Sequence, residues 1–158
     1  MYQLLKFFFR NPDLILKKQD GTEYLRRWWL IPRNRFGFNI YLHEFMSSDE
    51  DRCLHDHPWW NLSILLSGCY LEHMPKNTTK WITENDREEI VKKRYPCIPV
   101  YRSSDSIHRI ELINENPVWT LFITGPVVRE WGFSCPTFWR HHTEFLDRTG
   151  KTKGKGCD

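Results

Sequence analysis

The sequence predicts an all-β fold, a sandwich or barrel with Greek-key or jelly-roll connections and short helical or irregular segments at its two ends. Three observations predict it. Short apolar segments rich in β-branched and aromatic residues are separated by turn signals built from Gly, Pro, Asn and Asp. Aromatic residues make up 15% of the chain, eight of them tryptophans, a usage that suits pleated, half-buried surfaces and the walls of a ligand cavity. Little of the chain reads as helix, and many short strands with frequent turns belong in a two-layer β architecture.

Residues 1–22 form an N-terminal segment. MYQLLKFFFRNPDLILKK has its apolar run broken by Lys6 and Arg10, too short for a membrane span or a signal core, and reads as a docking segment or short helix. EYLRRWWLIP is strand-like and stops at Pro32, RNRFG turns, and FNIYLHEFM completes an opening hairpin. SSDEDRC is a polar loop leading into LHDHPWW; NLSILLSG is a strand ending at Gly68, and CYLEHM is its return strand. KNTTKWITENDREEIVKKRYP is polar and reads as a hairpin around Glu84, Asn85 and Asp86 in preference to a short helix. After Pro96 and Pro99, VYRSSDSIHRIELI passes from loop to strand, with His108, Ile110 and Leu112 on one face and Ile107, Arg109 and Glu111 on the other. Asn114 to Pro117 is a turn, VWTLFITG a continuous apolar strand, VVREWGF a further strand, and FWRHHTEFLDR a short C-terminal helix. The barrel domain thus runs over 23–148, followed by a mobile basic tail at 149–158.

A chain of 158 residues fits one domain that buries about two thirds of its unfolded surface. The net charge of +3 is spread along the chain, which argues against nucleic acid as a partner. Cys53, Cys69, Cys97, Cys135 and Cys157 are odd in number, widely spaced and without a CxxC pair, so the expectation is a reduced, cytoplasmic protein. No membrane association is expected, and homodimerisation is left open.

The chemistry starts at CLHDHPWWNL, residues 53–62. On extended backbone, positions i and i+2 share a face, so His55 and His57 project together while Asp56 faces away. Two such imidazoles are half of a metal site, and the competing reading is a pair of surface histidines near a turn. His108, on the buried face of a later strand, supplies a third nitrogen. Three imidazoles hold a divalent ion and leave positions open for substrate or oxygen.

HDHPWWNLSILLSG resembles the first motif of the cupin family, an HxH followed by a strand and a Gly, and YPCIPVYRSSDSIHRIEL resembles the second, a Pro-containing turn and then one His on a strand. The resemblance covers roughly residues 36–133 and implies a cupin-type jelly-roll barrel. Many cupins add a Glu as fourth ligand; here Asn61 stands near that place. A set of three histidines is similar to the thiol dioxygenase branch, which uses ferrous iron. LHDHPWW, SGCYLE and PVWTLFITGPVVREWGF also resemble a group of small cupin-like proteins of bacteria and their viruses.

The resulting expectation is a metal-dependent enzyme, an Fe(II) oxygenase acting on a small polar molecule, with Zn, Ni or Mn as alternative ions. His55, His57 and His108 are the metal ligands. Trp60, Tyr70 and Trp119 line the pocket, Arg102 stands at its mouth, and Arg102 and Arg129 clamp a carboxylate or phosphate. Tyr70 and Glu72 are the candidate catalytic groups, whereas Asn61 is not a ligand. Each has a plainer reading: tryptophan and tyrosine as core, arginine in a surface salt bridge. A metal-assisted isomerase, epimerase or lyase using Glu72 or Tyr70 as proton carrier, and a non-catalytic binding module for a nucleotide or sugar phosphate, are the alternatives. His43, His73, His141 and His142 are read as surface or packing residues, the last two because adjacent residues of a regular element point apart.

Overall fold

The structure, a computed structural model, describes residues 10–18, 20–34, 36–49, 53–76, 88–135 and 138–144. Twelve strands account for most of them: β1 Leu14–Lys17, β2 Glu23–Trp29, β3 Asn39–Phe45, β4 Leu54–His55, β5 Asn61–Ser67, β6 Tyr70–Pro75, β7 Glu89–Arg94, β8 Pro99–Arg102, β9 Arg109–Leu112, β10 Val118–Thr124, β11 Gly132–Ser134 and β12 Trp139–His141.

One layer is a six-stranded antiparallel sheet in the order β1-β2-β3-β10-β5-β8. The other consists of two three-stranded sheets, β12-β11-β4 and β7-β6-β9. These join where His55 and His108 exchange backbone hydrogen bonds of 2.9 and 3.0 Å in an antiparallel bridge. Alternation decides which side chains enter the space between the layers. On the six-stranded sheet the cross-strand rows Leu25–Phe45–Val118, Arg27–His43–Thr120–Leu65, Tyr41–Phe122–Ser63–Val100 and Asn39–Thr124–Asn61–Arg102 share the inner face. Tyr24, Leu25, Phe45, Leu65 and Val118 from this sheet pack on Tyr70, Ile110 and Leu112 from the other layer as one buried cluster. The apolar core therefore occupies one part of the interior and the polar rows the rest.

The opening hairpin, the strand parity around His108 and the apolar strand at Val118 all form as expected. Four expectations are corrected. Leu14–Lys17 is not helical but pairs with β2. The segment CYLEHM is not the hairpin partner of β5; β6 pairs with β7 and β9 in the opposite layer. The turn at Gly68, with φ of +82°, carries the chain across, and a Cβ there would lie 2.9 Å from Val118 Cγ2. The expected C-terminal helix is instead β12 followed by a single 3₁₀ turn, His142–Glu144. Pairing with β11 overrides local helix propensity, and Gly132 lets Arg140 O approach where any side chain would clash. Finally, Cys69 and Cys97 are free thiols but Cys135 is disulfide-bonded, because sequence spacing does not reveal which sulfurs a barrel brings together. Glu89–Arg94, the second arm of the expected hairpin, forms β7 and pairs with β6; residues 77–87, with the first arm and the tip around Glu84 to Asp86, lie outside the described residues, as do the basic tail and the first nine residues.

Candidate metal centre

His55 ends β4, and His108 sits directly opposite it just before β9. A cross-strand pair places both side chains on one face, and the two rings lie with centroids 5.0 Å apart. His57, two residues on, comes to the same place at 5.1 and 5.2 Å from His55 and His108. One nitrogen from each of the three lies within 4.8 Å of the others, and His57 Nε2 is 2.9 Å from His108 Nε2.

Buried polar groups hold this arrangement. On the far side of the His108 ring, Nδ1 is 2.9 Å from Glu72 Oε1. Glu72 is wholly buried and accepts hydrogen bonds from Arg102 Nε and Arg94 Nε, each at 2.5 Å. Burial alone raises a carboxyl's pKa, but the hydrogen bond with His108 and the charge of Arg102 outweigh it and hold Glu72 well below the carboxylate range. Arg102 also donates to Asn61 Oδ1 and Tyr70 Oη, both at 3.2 Å. Asp49 Oδ2 lies 4.0 Å from His55 Nδ1 and accepts the Ile110 N–H at 2.7 Å, while the Tyr24 hydroxyl donates to its other oxygen. Asp56, facing away between the two histidines, accepts the Gly132 N–H (2.7 Å) and Trp139 Nε1–H (3.2 Å) and pairs with Arg129 (2.8 Å), pinning the HxH segment to β11 and β12. Trp59 stacks on His57 at 4.7 Å and 9°, and Trp131 lies 6.4 Å from it at 27°.

His57 and His108 are held below their ordinary pKa, first by burial and then by neighbouring positive groups, Arg102 among them, with Glu72 partly offsetting this at His108. Both are neutral at pH 7 and keep their nitrogen lone pairs for a metal. This donor set fits a divalent first-row ion. His43 is likewise depressed, by burial and by Arg27.

A pH dependence follows for the metal-free protein. In the unfolded chain these imidazoles return to about 6.5. Below that pH the unfolded state binds more protons than the folded one, so stability is complete above about pH 7 and declines on acidification, by at most about 1.4 kcal/mol per pH unit for each histidine. Glu72 is ionised in both states in this window and contributes only below its ordinary value of 4.5. Urea midpoints of chelator-treated protein between about pH 5 and 8 should show this slope, and a flat profile would refute it.

The structure thus gathers His55, His57 and His108 but redistributes the other candidates. Trp119 points to the outer face of β10 and stacks on Trp28 at 5.3 Å, and Trp60 packs near the exposed Tyr101. Neither faces the histidines, because alternation on β10 and β5 sends them outward; Trp59 and Trp131 take that place. Arg102 is a buried partner of Glu72, not a residue at a mouth. Arg129 is committed to Asp56 and to Ser104 O at 2.7 Å. Tyr70 is fully buried, with its pKa raised by burial. His73 bridges Glu89 and Glu111. His141 and His142 do come together, with Glu130, because β12 ends at His141 and a 3₁₀ turn begins at His142; there His141 Nε2 is 3.0 Å from Glu130 Oε2. Asp49, Asp56 and Trp131 were missed: only the placement of Asp56 between the histidines was a usable signal.

No family model matches the chain, and no curated protein matches it. Solved structures do resemble it. A cupin-like protein from Thermotoga maritima is 12% identical with a TM-score of 0.50, over 75% of this chain and 77% of that one. A conserved protein with a double-stranded β-helix domain from Klebsiella pneumoniae is 11% identical with a TM-score of 0.51, over 76% and 90%. FeII HppE is 10% identical with a TM-score of 0.51; the match covers 67% of this chain and about half, 52%, of that protein. At these identities the likeness is one of fold, that of a cupin-type double-stranded β-helix.

Proposed function

We propose that this double-stranded β-helix is a metal-dependent enzyme, an Fe(II) oxygenase acting on a small polar molecule. The observation that carries the reading is the convergence of three imidazoles, two of them pushed below their ordinary pKa by burial, with no carboxylate joining them among the described residues. His55, His57 and His108 would hold a ferrous ion, which would supply redox chemistry with dioxygen. The fold shared with FeII HppE supports the choice of iron. Glu72 holds the His108 ring from behind, Asp49 stands behind His55, and Trp59 covers a face of His57, so the protein's part is to orient the ligands and exclude water. The isomerase or lyase alternative needs Glu72 or Tyr70 to carry a proton on the open side. Glu72 lies on the Nδ1 side of His108 and is kept ionised by two guanidiniums, and the Tyr70 hydroxyl is engaged with Arg102. Zn, Ni and Mn remain the other ions to test. Among the described residues no helix is long and apolar enough to cross a membrane; a cytoplasmic location belongs to the proposal.

The test is oxygen uptake by iron-loaded protein against a panel of small polar compounds. Compound-dependent uptake that disappears in His57→Ala supports the reading. A compound converted equally fast under nitrogen would move the protein to the isomerase or lyase class.

A further inference from the structure

Glu130, His141 and His142 meet outside the three-histidine centre, each offering one donor atom within 4.8 Å of the other two. The fold brings them together. His141 is the cross-strand partner of Gly132, so the two share a face, and Glu130 stands two residues before Gly132. Strand β12 ends at His141 and the 3₁₀ turn starts at His142, which breaks the alternation and leaves the two imidazoles with centroids 4.2 Å apart.

Both imidazoles are already oriented. His142 stacks on Trp131 at 4.7 Å and 7°, and its Nδ1 lies 3.2 Å from the Trp131 carbonyl oxygen. A carbonyl only accepts, so Nδ1 carries the proton and Nε2 keeps its lone pair. This is the usual way in which the tautomer of a ligating imidazole is fixed. His141 Nδ1 accepts the Thr143 N–H at 3.4 Å and lies 2.8 Å from Thr143 Oγ1, with Nε2 3.0 Å from Glu130 Oε2. Two donors bound to one ion at about 2.0–2.2 Å stand about 3–3.5 Å apart, so His141 and Glu130 have the separation of neighbouring ligands. The Glu130 side chain is largely exposed and can close on an ion without moving the strands.

We propose that Glu130, His141 and His142 form a second metal site, for a zinc-class divalent ion, that pins the C-terminal turn to β11 and fixes Trp131. The ion takes the place of the proton between His141 Nε2 and Glu130 Oε2, which leaves to solvent, and His142 Nε2 is the third ligand. Two imidazoles and a carboxylate suit zinc, whereas calcium and magnesium take oxygen ligands. Trp131, stacked on His142, also lies 6.4 Å from His57, so an ion here steadies a wall of the first centre. The site stands on its own donors and not on the reading of that centre as an iron oxygenase.

Zinc and calcium are titrated into the untagged protein, and bound metal is counted after equilibrium dialysis. His141→Ala/His142→Ala, at partly exposed positions, should bind one zinc fewer than wild type, whatever the first centre holds. The same difference should persist in a His108→Ala background, which separates failure of this site from failure of the first. Glu130→Gln should weaken this zinc by about tenfold or more, and calcium should not compete. Zinc should also move the indole N–H resonance of Trp131 in wild type and leave it in place in the double variant. Equal zinc stoichiometry in wild type and the double variant, half-saturation of the extra zinc only near about 1 mM, or a Trp131 resonance unmoved by bound zinc overturns the proposal.

Discussion

His108→Ala is expected to lose metal binding by more than about 100-fold, beyond the 10- to 100-fold typical of removing a group that merely supports a ligand. The reason is geometric. His108 is held through its backbone to His55, and its Nδ1 lies 2.9 Å from Glu72 Oε1, which leaves its Nε2 2.9 Å from His57 Nε2. Its removal takes away one of three ligands and the best-oriented one. His55→Ala and His57→Ala should show the same loss, and Asn61→Ala should not, because the Asn61 oxygen is turned to Arg102. The double variant His141→Ala/His142→Ala is the control for metal held by the second cluster of histidines with Glu130. Metal content after dialysis without chelator is the measurement, and full occupancy in His108→Ala would end the metal-centre reading.

The largest stability effect is expected at Glu72. Its carboxylate neutralises Arg102 and Arg94 and holds His108, and it is entirely buried. Truncation to Ala leaves a guanidinium uncompensated in the interior and a void beside it. Breaking a buried pair from one side costs about 3–5 kcal/mol, which lowers the melting temperature of a domain this size by roughly 10 °C or more. Glu72→Gln, which keeps the volume and an acceptor oxygen but not the charge, should lose less. Both are read from urea unfolding of metal-free protein, so that loss of metal does not enter. A loss below about 1 kcal/mol in Glu72→Ala would show that Arg102 finds water or another partner.

The residues that were legible share one property: their position depends on alternation along a single strand. His55 and His57 two apart, and His108 in step with Ile110 and Leu112, share a face whatever surrounds them, and all three reach one site. The same rule governs the tryptophans once the inward parity of each strand is known. Once Asn61, Ser63 and Leu65 point inward, Trp60 cannot, and once Thr120 does, Trp119 cannot. Arginines were harder still. Arg102 and Arg129 are alike as sequence, and what separates their roles is which distant carboxylate arrives beside each, Glu72 or Asp56.

The sequence by itself determined the β class, most strand positions and the three histidines, because period-two patterning and turn chemistry are local properties of the chain. Only the tertiary structure decided that β6 crosses to the opposite layer, that the C-terminal segment is a strand, that Cys135 is bonded, and that Glu72 and Asp56 are spent on Arg102 and Arg129. The physical reason is that charge pairing and strand pairing act between residues far apart in sequence. Their partners are selected by the closure of the two layers, and no local pattern encodes which of them meet.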